Sequence, residues 1–376
     1  MKVYYWSPHT SYVATIKAVI NSASSLKKYG NNYYEVAIID ANGEWNNIET
    51  DKIKFRKLYK KIYFKTFPIS GYLKSRLSYL YIFLFRFFSL KNLLNKDRPE
   101  FFFIQLLSSL PLVLIILFNF NTKFILRISG YPKLPFLRRL IWKLAAKKLH
   151  LITCPTQITL DFIRSENIFD TNKLVLLEDP IFKIREIVNL KKVKLEENFD
   201  TNFKYILSIG RLTHQKNFNL LIEAFVEIKN IYKDYKLIII GDGEEKVELN
   251  NLVDKFQLNE DVFLLGFKKN IFNYLKLADC LISTALWEDP GFVLVEAGIL
   301  NKSIISSNCF SGPLELFNQN NGYLFLNDSK EDLIKKFIEY KNADLNTNIK
   351  KIVTSKVKFK KYSLFNHFIK IKKFLS

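Results

Sequence analysis

The chain has 376 residues, a hydrophobic content of 48% and a formal net charge of +21 at pH 7. This length predicts two domains, and the apolar content excludes a disordered chain. The basic excess admits an anionic membrane surface or a polyanionic substrate, but no recognisable binding module points to nucleic acid. Three scattered cysteines without C-x-x-C spacing argue against a disulfide framework and a zinc site. The N-terminus has no signal-peptide core, so we expect a cytoplasmic protein.

The first half of the chain alternates between strand-like and helix-like segments. Strands are predicted at residues 2–6, 34–40, 101–106, 123–128 and 151–154. Helices are predicted at residues 14–29, 79–94, 111–118 and 136–149. Alternation of this kind is typical of a parallel sheet with helices on both faces.

Residues 101–120 form an apolar stretch that is long enough to span a bilayer. Several residues interrupt it, namely Gln105, Ser108, Ser109, Pro111 and Asn119. We therefore interpret it as a buried strand followed by the start of its crossover helix. Membrane insertion of this stretch is the alternative.

The second half repeats the alternation after residues 183–202, which are charged, lack an apolar period and are predicted to be a linker. Strands are predicted at residues 205–209, 236–240, 262–265, 280–283 and 303–306. Helices are predicted at residues 217–231, 246–256, 271–278 and 292–300. Because ligands of such sheets bind where the strands end, the loops after these strands are the places to look for a site.

The stretch from Trp287 to Ala297 has the clearest chemical pattern. Pro290 and Gly291 break the chain, and a helix is predicted to begin at Phe292. The first N–H groups of that helix have no partner within it and carry partial positive charge, which suits an anion. Glu288 before the turn and Glu296 one turn inside the helix could hold hydroxyl groups of the same ligand. The pattern predicts a pocket for a sugar joined to a phosphate.

Three glycine-containing loops follow other strands of the second half. The first, Gly210-Arg211 to Lys216, carries two cations that could converge on a diphosphate, although two solvated cations are the alternative. The second contains Gly241 but is no G-x-G-x-x-G fingerprint. The third, Leu264-Leu265-Gly266, is suited to backbone contact with a base edge.

Taken in order, these motifs resemble the donor-binding domain of retaining GT-B glycosyltransferases of family 4. The resemblance covers residues 205–340 closely, and the first half more loosely. It implies an α/β fold of the GT-B type, with two Rossmann-like doubly wound parallel-sheet domains facing across a cleft. Residues 1–183 would bind the acceptor and residues 184–355 the nucleotide-sugar donor. Residues 356–376 would form a helix that packs back on the first domain.

The resemblance also implies a role for each matched residue. Arg211 and Lys216 would neutralise the diphosphate leaving group, and Glu288 would face the donor sugar, so these three are the predicted catalytic residues. Glu296 would hold the ribose hydroxyls. The other predicted donor-binding residues, which act through their backbone, are Gly210, Gly241, Leu264, Gly266, Gly291, Phe292 and Val293.

The form W-E-D-P-G-F, followed by Ser311-Gly312-Pro313-Leu314-Glu315, resembles enzymes that build bacterial surface polysaccharides such as O-antigen, capsule and lipopolysaccharide. The implied reaction transfers a sugar, with retention, from a nucleotide donor to a hydroxyl of a glycan or lipid-linked acceptor. A UDP-sugar is the expected donor. No metal or other cofactor is expected, because the cations would stabilise the leaving group and the chain contains no D-x-D.

The acceptor side departs from the family pattern. Ser7-Pro8-His9 stands where many members have a glycine pair, and Arg127 to Gly130 stand where many have a histidine after the strand. We therefore take His9, Arg127 and Ser129 as the candidate acceptor residues. The predicted helix at 136–149 is basic and would lie against an anionic membrane, at the cytoplasmic face of the inner membrane, unless it is simply a solvated face.

Three other functions remain open at this stage. A phosphorylase- or epimerase-like enzyme could use the same cations, but an epimerase would need carboxylates and histidines in the first domain, which the sequence does not clearly offer. The chain could also bind a nucleotide-sugar without turnover. A basic protein that binds membrane surfaces or nucleic acid is the third possibility, and salt-dependent binding without nucleotide-sugar binding would favour it.

Overall fold

A computed structural model describes residues 1–9, 14–46, 48, 53–59, 72–190, 192–193 and 203–375, with the side chains of one helix described from Leu77 onward. The chain forms two compact units. Unit 1 contains Met1–Pro180 together with Leu364–Ser376, and unit 2 contains Ile181–Ser363.

Unit 1 is built on a seven-stranded parallel sheet of order β3-β2-β1-β4-β5-β6-β7. The strands are β1 Lys2–Trp6, β2 Glu35–Asp40, β3 Lys54–Lys57, β4 Phe101–Ile104, β5 Lys123–Arg127, β6 Leu149–Cys154 and β7 Leu174–Leu176. The inner strands are apolar on both faces, as helices cover both sides of the sheet.

The helices of unit 1 divide between the two faces of this sheet. They are α1 Ala14–Tyr29, α2 Tyr72–Asp97, α3 Ser109–Leu117, α4 Phe136–Ala146, α5 Gln157–Ser165 and the last helix of the chain, α14 Leu364–Phe374. Val3 and Tyr5 of β1 pack with α1 and α14, whereas Tyr4 and Trp6 pack with the helices α2 to α5. The alternation follows from the two-residue period of a strand.

Unit 2 is built on a six-stranded parallel sheet of order β10-β9-β8-β11-β12-β13. The strands are β8 Lys204–Ile209, β9 Tyr235–Ile240, β10 Val262–Leu264, β11 Cys280–Ser283, β12 Ser303–Ser307 and β13 Tyr323–Phe325. The helices are α6 Ile184–Leu190, α7 Phe218–Ile231, α8 Lys246–Lys255, α9 Phe272–Leu277, α10 Phe292–Ile299, α11 Gly312–Leu316, α12 Lys330–Asn342 and α13 Leu345–Phe359. The prediction of two parallel α/β domains is therefore confirmed.

Several predicted elements need correction. The strand and crossover helix predicted within residues 101–120 are confirmed with adjusted bounds, since β4 is a buried strand between β1 and β5 and α3 follows it, and the alternative of membrane insertion is wrong. The helix predicted at 136–149 ends at Ala146, since Leu149 already begins β6.

The C-terminal tail also differs from the sequence-based expectation. Residues 356–376, which we expected to form one helix, contain the end of α13, a 3-10 turn at Lys360–Tyr362 and then α14. Ser363 is extended and forms a parallel bridge with Phe182, which interrupts the helix. Part of the predicted linker, residues 184–190, is helical, whereas residues 191 and 194–202 lie outside the described residues.

Among the described residues, Leu77–Asp97 of α2 is the helical segment that by length and composition alone could cross a membrane. Only 33% of its most apolar window is buried inside the protein. Length and composition of one helix are weak grounds for a membrane span, but they show that α2 is unusually apolar for a helix at a surface.

A buried hydrogen-bond chain fixes α14 to the rest of unit 1. The Tyr5 hydroxyl lies 3.0 Å from Ser22 Oγ, which lies 2.8 Å from His367 Nε2. His367 Nδ1 lies 2.8 Å from the carbonyl oxygen of Glu178, which can only accept, so Nδ1 carries the proton and Nε2 accepts from Ser22. Burial lowers the pKa of His367 from 6.5 to about 4.

We predict that the contribution of His367 to the stability of unit 1 falls by on the order of 3 kcal/mol as the pH falls from about 6.5 to about 4. In this window the unfolded chain binds a proton at His367 and the folded chain does not. Three of the four tryptophans, Trp6, Trp45 and Trp142, lie in unit 1, so urea unfolding followed by fluorescence reports mainly this unit. Relative to the unaltered chain, His367→Gln should therefore become more stable as the pH falls through this window, whereas the exposed His214→Gln should leave the pH dependence unchanged. Equal pH dependence in both variants would refute this assignment.

Candidate functional site

The loop after β8 places a lysine over a glycine. Residues His214–Lys216 form a 3-10 turn, and Asn217 follows with a left-handed backbone at φ 50°. A Cβ added at Gly210 would lie 3.0 Å from Cε of Lys216, so the lysine side chain runs across the glycine. This packing directs the ammonium group of Lys216 toward β11, which is the neighbour of β8 in the sheet.

Gly241, at the end of β9, is required by an equally close approach. A Cβ at this position would lie 1.8 Å from the carbonyl oxygen of Gly210, and its φ of +152° suits glycine. The N–H of Gly241 donates to the carbonyl oxygen of Gly266 at 3.0 Å. The ends of β8, β9 and β10 therefore meet through glycine backbone, which places Gly210, Gly241 and Gly266 at one edge of the sheet.

The central contact of the site is an ion pair between Lys216 and Glu288. The two side chains are 17% and 16% exposed, so solvent reaches both charges. The Thr284 hydroxyl donates to the Lys216 carbonyl oxygen at 2.9 Å and fixes the backbone beneath the pair. A small pocket adjoins them, and its lining residues are Ile209, Lys216, Leu281, Ile282, Ser283, Glu288, Gly291, Val293 and Leu294.

Helix α10 begins at this pocket. Gly291 precedes it in a left-handed conformation at φ 92°, so the chain turns directly from Glu288 into the helix. A second loop holds this turn, because Gly312 N donates to the Glu288 carbonyl oxygen at 2.7 Å. A Cβ at Gly312 would lie 2.3 Å from the carbonyl oxygen of Pro290, so no larger residue fits. The N-terminal amides of α10 thus lie beside the ion pair.

Gln215 is a residue that the sequence analysis overlooked. Its side-chain Nε2 donates to the Trp287 carbonyl oxygen at 2.9 Å, and its backbone carbonyl oxygen accepts from Leu286 N at 2.9 Å. Its Oε1 accepts from Nη2 of Arg211 at 3.2 Å. Gln215 therefore ties the Lys216 loop to the Glu288 loop, a role that only its position beside Lys216 could have suggested.

The structure brings only part of the predicted site together. Lys216, Glu288, Gly291 and Val293 line one pocket, and Arg211 is exposed on the same loop as Lys216 without lining it. Six other predicted residues also lie outside that lining, namely Gly210, Gly241, Leu264, Gly266, Phe292 and Glu296. Glu296 is on α10 and is 3% exposed. Leu264 ends β10, two residues before Gly266.

In unit 1, Arg127 and Ser129 contact each other at the end of β5. Nη1 of Arg127 donates to Ser129 Oγ at 2.6 Å, and its Nη2 forms a buried ion pair with Asp179. Burial raises the pKa of Asp179, and the Arg127 guanidinium opposes that rise. Because Arg127 is buried and already paired, it supports the fold at this point as well as lying in the predicted acceptor region.

His9 lies beside two carboxylates, Asp40 and Glu44, which the sequence did not reveal as a pair. Its pKa is lowered by burial, and its ring packs edge-on against Trp45 at 4.7 Å. Burial and the charge of Asp40 raise the pKa of Glu44 to about 8. The sequence does not clearly offer carboxylates and histidines in the first domain, whereas the structure brings His9, Asp40 and Glu44 together there. Asp40 does stand at the end of a predicted strand, which is the signal that could have found it.

These carboxylates also have a local structural role. Glu44 accepts from the backbone N–H groups of Ala41 and Asn42 at 2.9 and 2.6 Å. Asp40 accepts from Gly43 N at 2.6 Å and from the Tyr59 hydroxyl at 2.9 Å. The pair therefore braces the loop after β2, and residues 10–13 of the first loop lie outside the described residues.

Comparison with known proteins agrees with the geometry of unit 2. Residues 191–354 match the family model described as "Glycosyl transferases group 1". Residues 191–354, less than half of the chain, are therefore similar to group 1 glycosyltransferases. The match includes Gly210, Lys216, Glu288 and α10, so the site described above lies within the family region.

Two curated relatives with glycosyltransferase names are similar to part of this chain. An uncharacterized glycosyltransferase of Methanocaldococcus jannaschii is 34% identical over 206 residues, which is 52% of this chain and 50% of the relative. An N-acetylgalactosamine-N,N'-diacetylbacillosaminyl-diphospho-undecaprenol 4-alpha-N-acetylgalactosaminyltransferase of Campylobacter jejuni is 36% identical over 124 residues, 33% of each chain. These matches span half or less of the length of both relatives.

In the comparison of structures, the similarity to known proteins covers nearly the whole chain. The crystal structure of HepE from Anabaena in complex with UDP-glucose has a TM-score of 0.73 at 16% identity and covers 99% of this chain and 98% of the other. At this identity the likeness concerns the fold alone. It is the two-domain GT-B glycosyltransferase fold, as predicted.

We predict that Gly241→Ala costs at least about 3 kcal/mol of unfolding free energy, because its Cβ would overlap backbone that cannot move aside. Gly266→Ala is the matched control, since Gly266 also has positive φ (+70°) but has no atom within 4 Å of an added Cβ. It should cost only about 1–2 kcal/mol, the penalty of a left-handed alanine. Urea denaturation followed by circular dichroism measures both, and equal costs would contradict the close approach of Gly210 and Gly241.

Proposed function

We propose that this glycosyltransferase moves a sugar from a UDP-sugar to a hydroxyl of a glycan or lipid-linked acceptor, with retention and without a metal, in bacterial surface-polysaccharide biosynthesis. The observation that carries the proposal is the Lys216–Glu288 pair beside the N-terminus of α10. This pocket contains a cation, a carboxylate and helix amides. The cation and the amides suit the phosphates of a nucleotide-sugar, and the carboxylate suits its sugar hydroxyls.

Lys216 and Arg211 would act on the leaving group. As the bond between C1 of the sugar and the phosphate oxygen breaks, its electron pair stays on the diphosphate and adds negative charge there. Two cations and the helix N-terminus stabilise that charge more strongly in the transition state than in the bound donor. This is why no metal is required in the proposal.

Glu288 would act on the sugar. When the diphosphate binds, its oxygens compete for the ammonium group of Lys216, and Glu288 becomes available for sugar hydroxyls and for the positive charge that develops at C1. The acceptor oxygen then bonds to C1 from the face that the diphosphate leaves, and its proton passes to the departing phosphate oxygen. Front-face attack of this kind keeps the anomeric configuration.

The donor and acceptor classes rest on similar proteins. The HepE structure is described as a complex with UDP-glucose, and the Campylobacter relative is named for transfer onto a diphospho-undecaprenol-linked sugar with an alpha linkage. We therefore propose a UDP-sugar donor, a lipid-linked or glycan acceptor, and a cytoplasmic reaction at the inner face of the membrane. Glu296, Leu264 and Gly266 are proposed to hold the ribose and base, and His9, Arg127 and Ser129 to lie on the acceptor side.

We predict that UDP or a UDP-sugar raises the thermal unfolding midpoint of the purified chain and that GDP- and ADP-sugars do not, because only a ligand of the folded state stabilises it. Arg211→Ala/Lys216→Ala should abolish the shift by removing both phosphate-binding cations, and Glu296→Ala should reduce it. Lys335→Ala/Lys350→Ala is the charge-matched control, since both lysines are exposed on α12 and α13. It should keep the full shift.

Turnover separates the proposed transferase from a protein that only binds the nucleotide-sugar. Release of UDP in the presence of a lipid-linked acceptor should continue with EDTA present, and an alpha-configured donor should give an alpha-linked product. A folded chain that shows no midpoint shift with any nucleotide would overturn the donor proposal. A shift without turnover on any acceptor would favour the non-catalytic alternative.

A further inference from the structure

The basic charge of the chain is concentrated in unit 1. Between residues 52 and 160 the acidic residues are Asp97 and Glu100 alone, and residues 101–160 contain none. The same sixty residues contain eight cations, namely Lys123, Arg127, Lys133, Arg138, Arg139, Lys143, Lys147 and Lys148. A surface formed from this part of the chain therefore has strongly positive potential.

Helix α2 has an apolar outer face within this region. Its exposed large side chains are Leu77, Leu80, Leu84, Phe85 and Phe88. No charged side chain is exposed on α2 between residues 77 and 90, because the only one there, Arg86, is buried and donates to the Ala41 carbonyl oxygen at 2.7 Å. At 1.5 Å per residue this face is about 20 Å long. Exposed apolar faces of this size mark interaction sites.

Helix α4 combines apolar and basic residues on its outer face. Its exposed apolar side chains are Phe136, Leu137, Leu140 and Leu144. Lys143 lies among these apolar residues and Lys147 follows them, and both lysines are exposed. Neither side chain forms a hydrogen bond or ion pair with a described residue. The neighbouring cations are engaged, since Arg139 pairs with Glu166 and Lys148 donates to Asn119 Oδ1 at 2.9 Å.

The two helices lie on the same side of unit 1. Both belong to the core formed on one face of the sheet, and α3 lies between them and packs against each. Leu117 of α3 is also exposed. The outer faces of α2, α3 and α4 therefore form one surface that points away from the sheet, apolar over α2 and apolar with cations over α4. We call it the α2–α4 surface.

We infer that the α2–α4 surface docks on an anionic lipid bilayer, with the leucines and phenylalanines of α2 and α4 entering the interface and Lys143 and Lys147 contacting lipid phosphates. Apolar side chains beside solvated lysines are the pattern of helices that lie in the membrane plane. Charge decides between a bilayer and a second copy of the chain. A symmetric pair of copies would bring two surfaces of the same positive sign together, whereas an anionic bilayer complements them.

This inference deepens the proposed function, because it places the chain where a lipid-linked acceptor is found, but its test needs no substrate. The purified full-length chain is floated with vesicles of phosphatidylcholine alone or of equal parts phosphatidylcholine and phosphatidylglycerol. Leu80→Gln/Leu84→Gln removes two apolar side chains of α2 that are 54% and 60% exposed, without changing the charge. The matched control is Val353→Gln/Val357→Gln on α13, with the same spacing and exposures of 53% and 59%.

We predict binding to the anionic vesicles that weakens as salt is added. The α2 pair should lower the partition coefficient at least about tenfold, since burial of one leucine side chain alone contributes roughly that factor. Lys143→Gln/Lys147→Gln should lower partition into anionic vesicles by roughly tenfold or more and leave any partition into neutral vesicles unchanged. The α13 control should bind as the unaltered chain does.

Two results would overturn the inference. One is vesicle binding that the α2 pair leaves intact. The other is that the chain binds neither type of vesicle. This result would overturn the inference for a monomer, and equally for a dimer that Leu80→Gln/Leu84→Gln dissociates, as measured by light scattering. A chain that ignores vesicles but still shows the thermal shift with UDP would refute membrane docking and leave the proposed function standing. A chain that binds vesicles without any nucleotide response would do the reverse.

Discussion

The ion pair between Lys216 and Glu288 is the interaction on which the proposed chemistry depends. Each partner comes from a loop after a different strand, β8 for Lys216 and β11 for Glu288. In a pair whose side chains are only 17% and 16% exposed, the loss of hydration offsets much of the Coulomb attraction, so the pair is weak evidence for stability. Its value is that it holds a cation and a carboxylate together in an open pocket, where a ligand with both phosphate and hydroxyl groups can separate them.

The surrounding backbone explains why the pair can form where it does. Gly210 lets the lysine side chain cross the strand end, Gly241 lets two strand ends touch, and Gly312 lets a third loop press on Pro290. Gln215 and Thr284 then fix the loops by hydrogen bonds. A parallel sheet brings strand ends to one edge, and these small residues allow them to approach closely enough to share one pocket.

The sequence predicts the fold well where strands and helices are long. Strand β1 and helix α1 have the bounds expected from their apolar patterns, because a buried strand and an amphipathic helix differ clearly in period. The strands β3, β7 and β13 were missed, since three or four residues at or near a sheet edge carry too little pattern. The break between α13 and α14 depends on a bridge to Phe182, a tertiary contact that local sequence does not encode.

The candidate site was predictable to a similar degree. Lys216, Glu288 and Gly291 follow recognisable strands and a sharp turn, so their convergence follows from topology. Gln215 and Thr284 could not be predicted, because their partners are backbone carbonyls that are distant in sequence. The carboxylate pair near His9 was missed for a different reason, because Glu44 lies in a loop without a periodic pattern.

The most direct measurement is calorimetric titration of UDP into the unaltered chain, Lys216→Gln and Glu288→Gln. If the pair opens to admit the diphosphate, Lys216→Gln weakens UDP binding by about ten- to a hundredfold, the effect of losing one hydrogen bond to a charged group. Glu288→Gln should bind UDP at least as tightly as the unaltered chain, since it removes the anion that competes for Lys216, while transfer from the UDP-sugar is lost. If Glu288→Gln weakens UDP as much as Lys216→Gln does, or if neither change matters, the pair is structural and the account of the site is wrong.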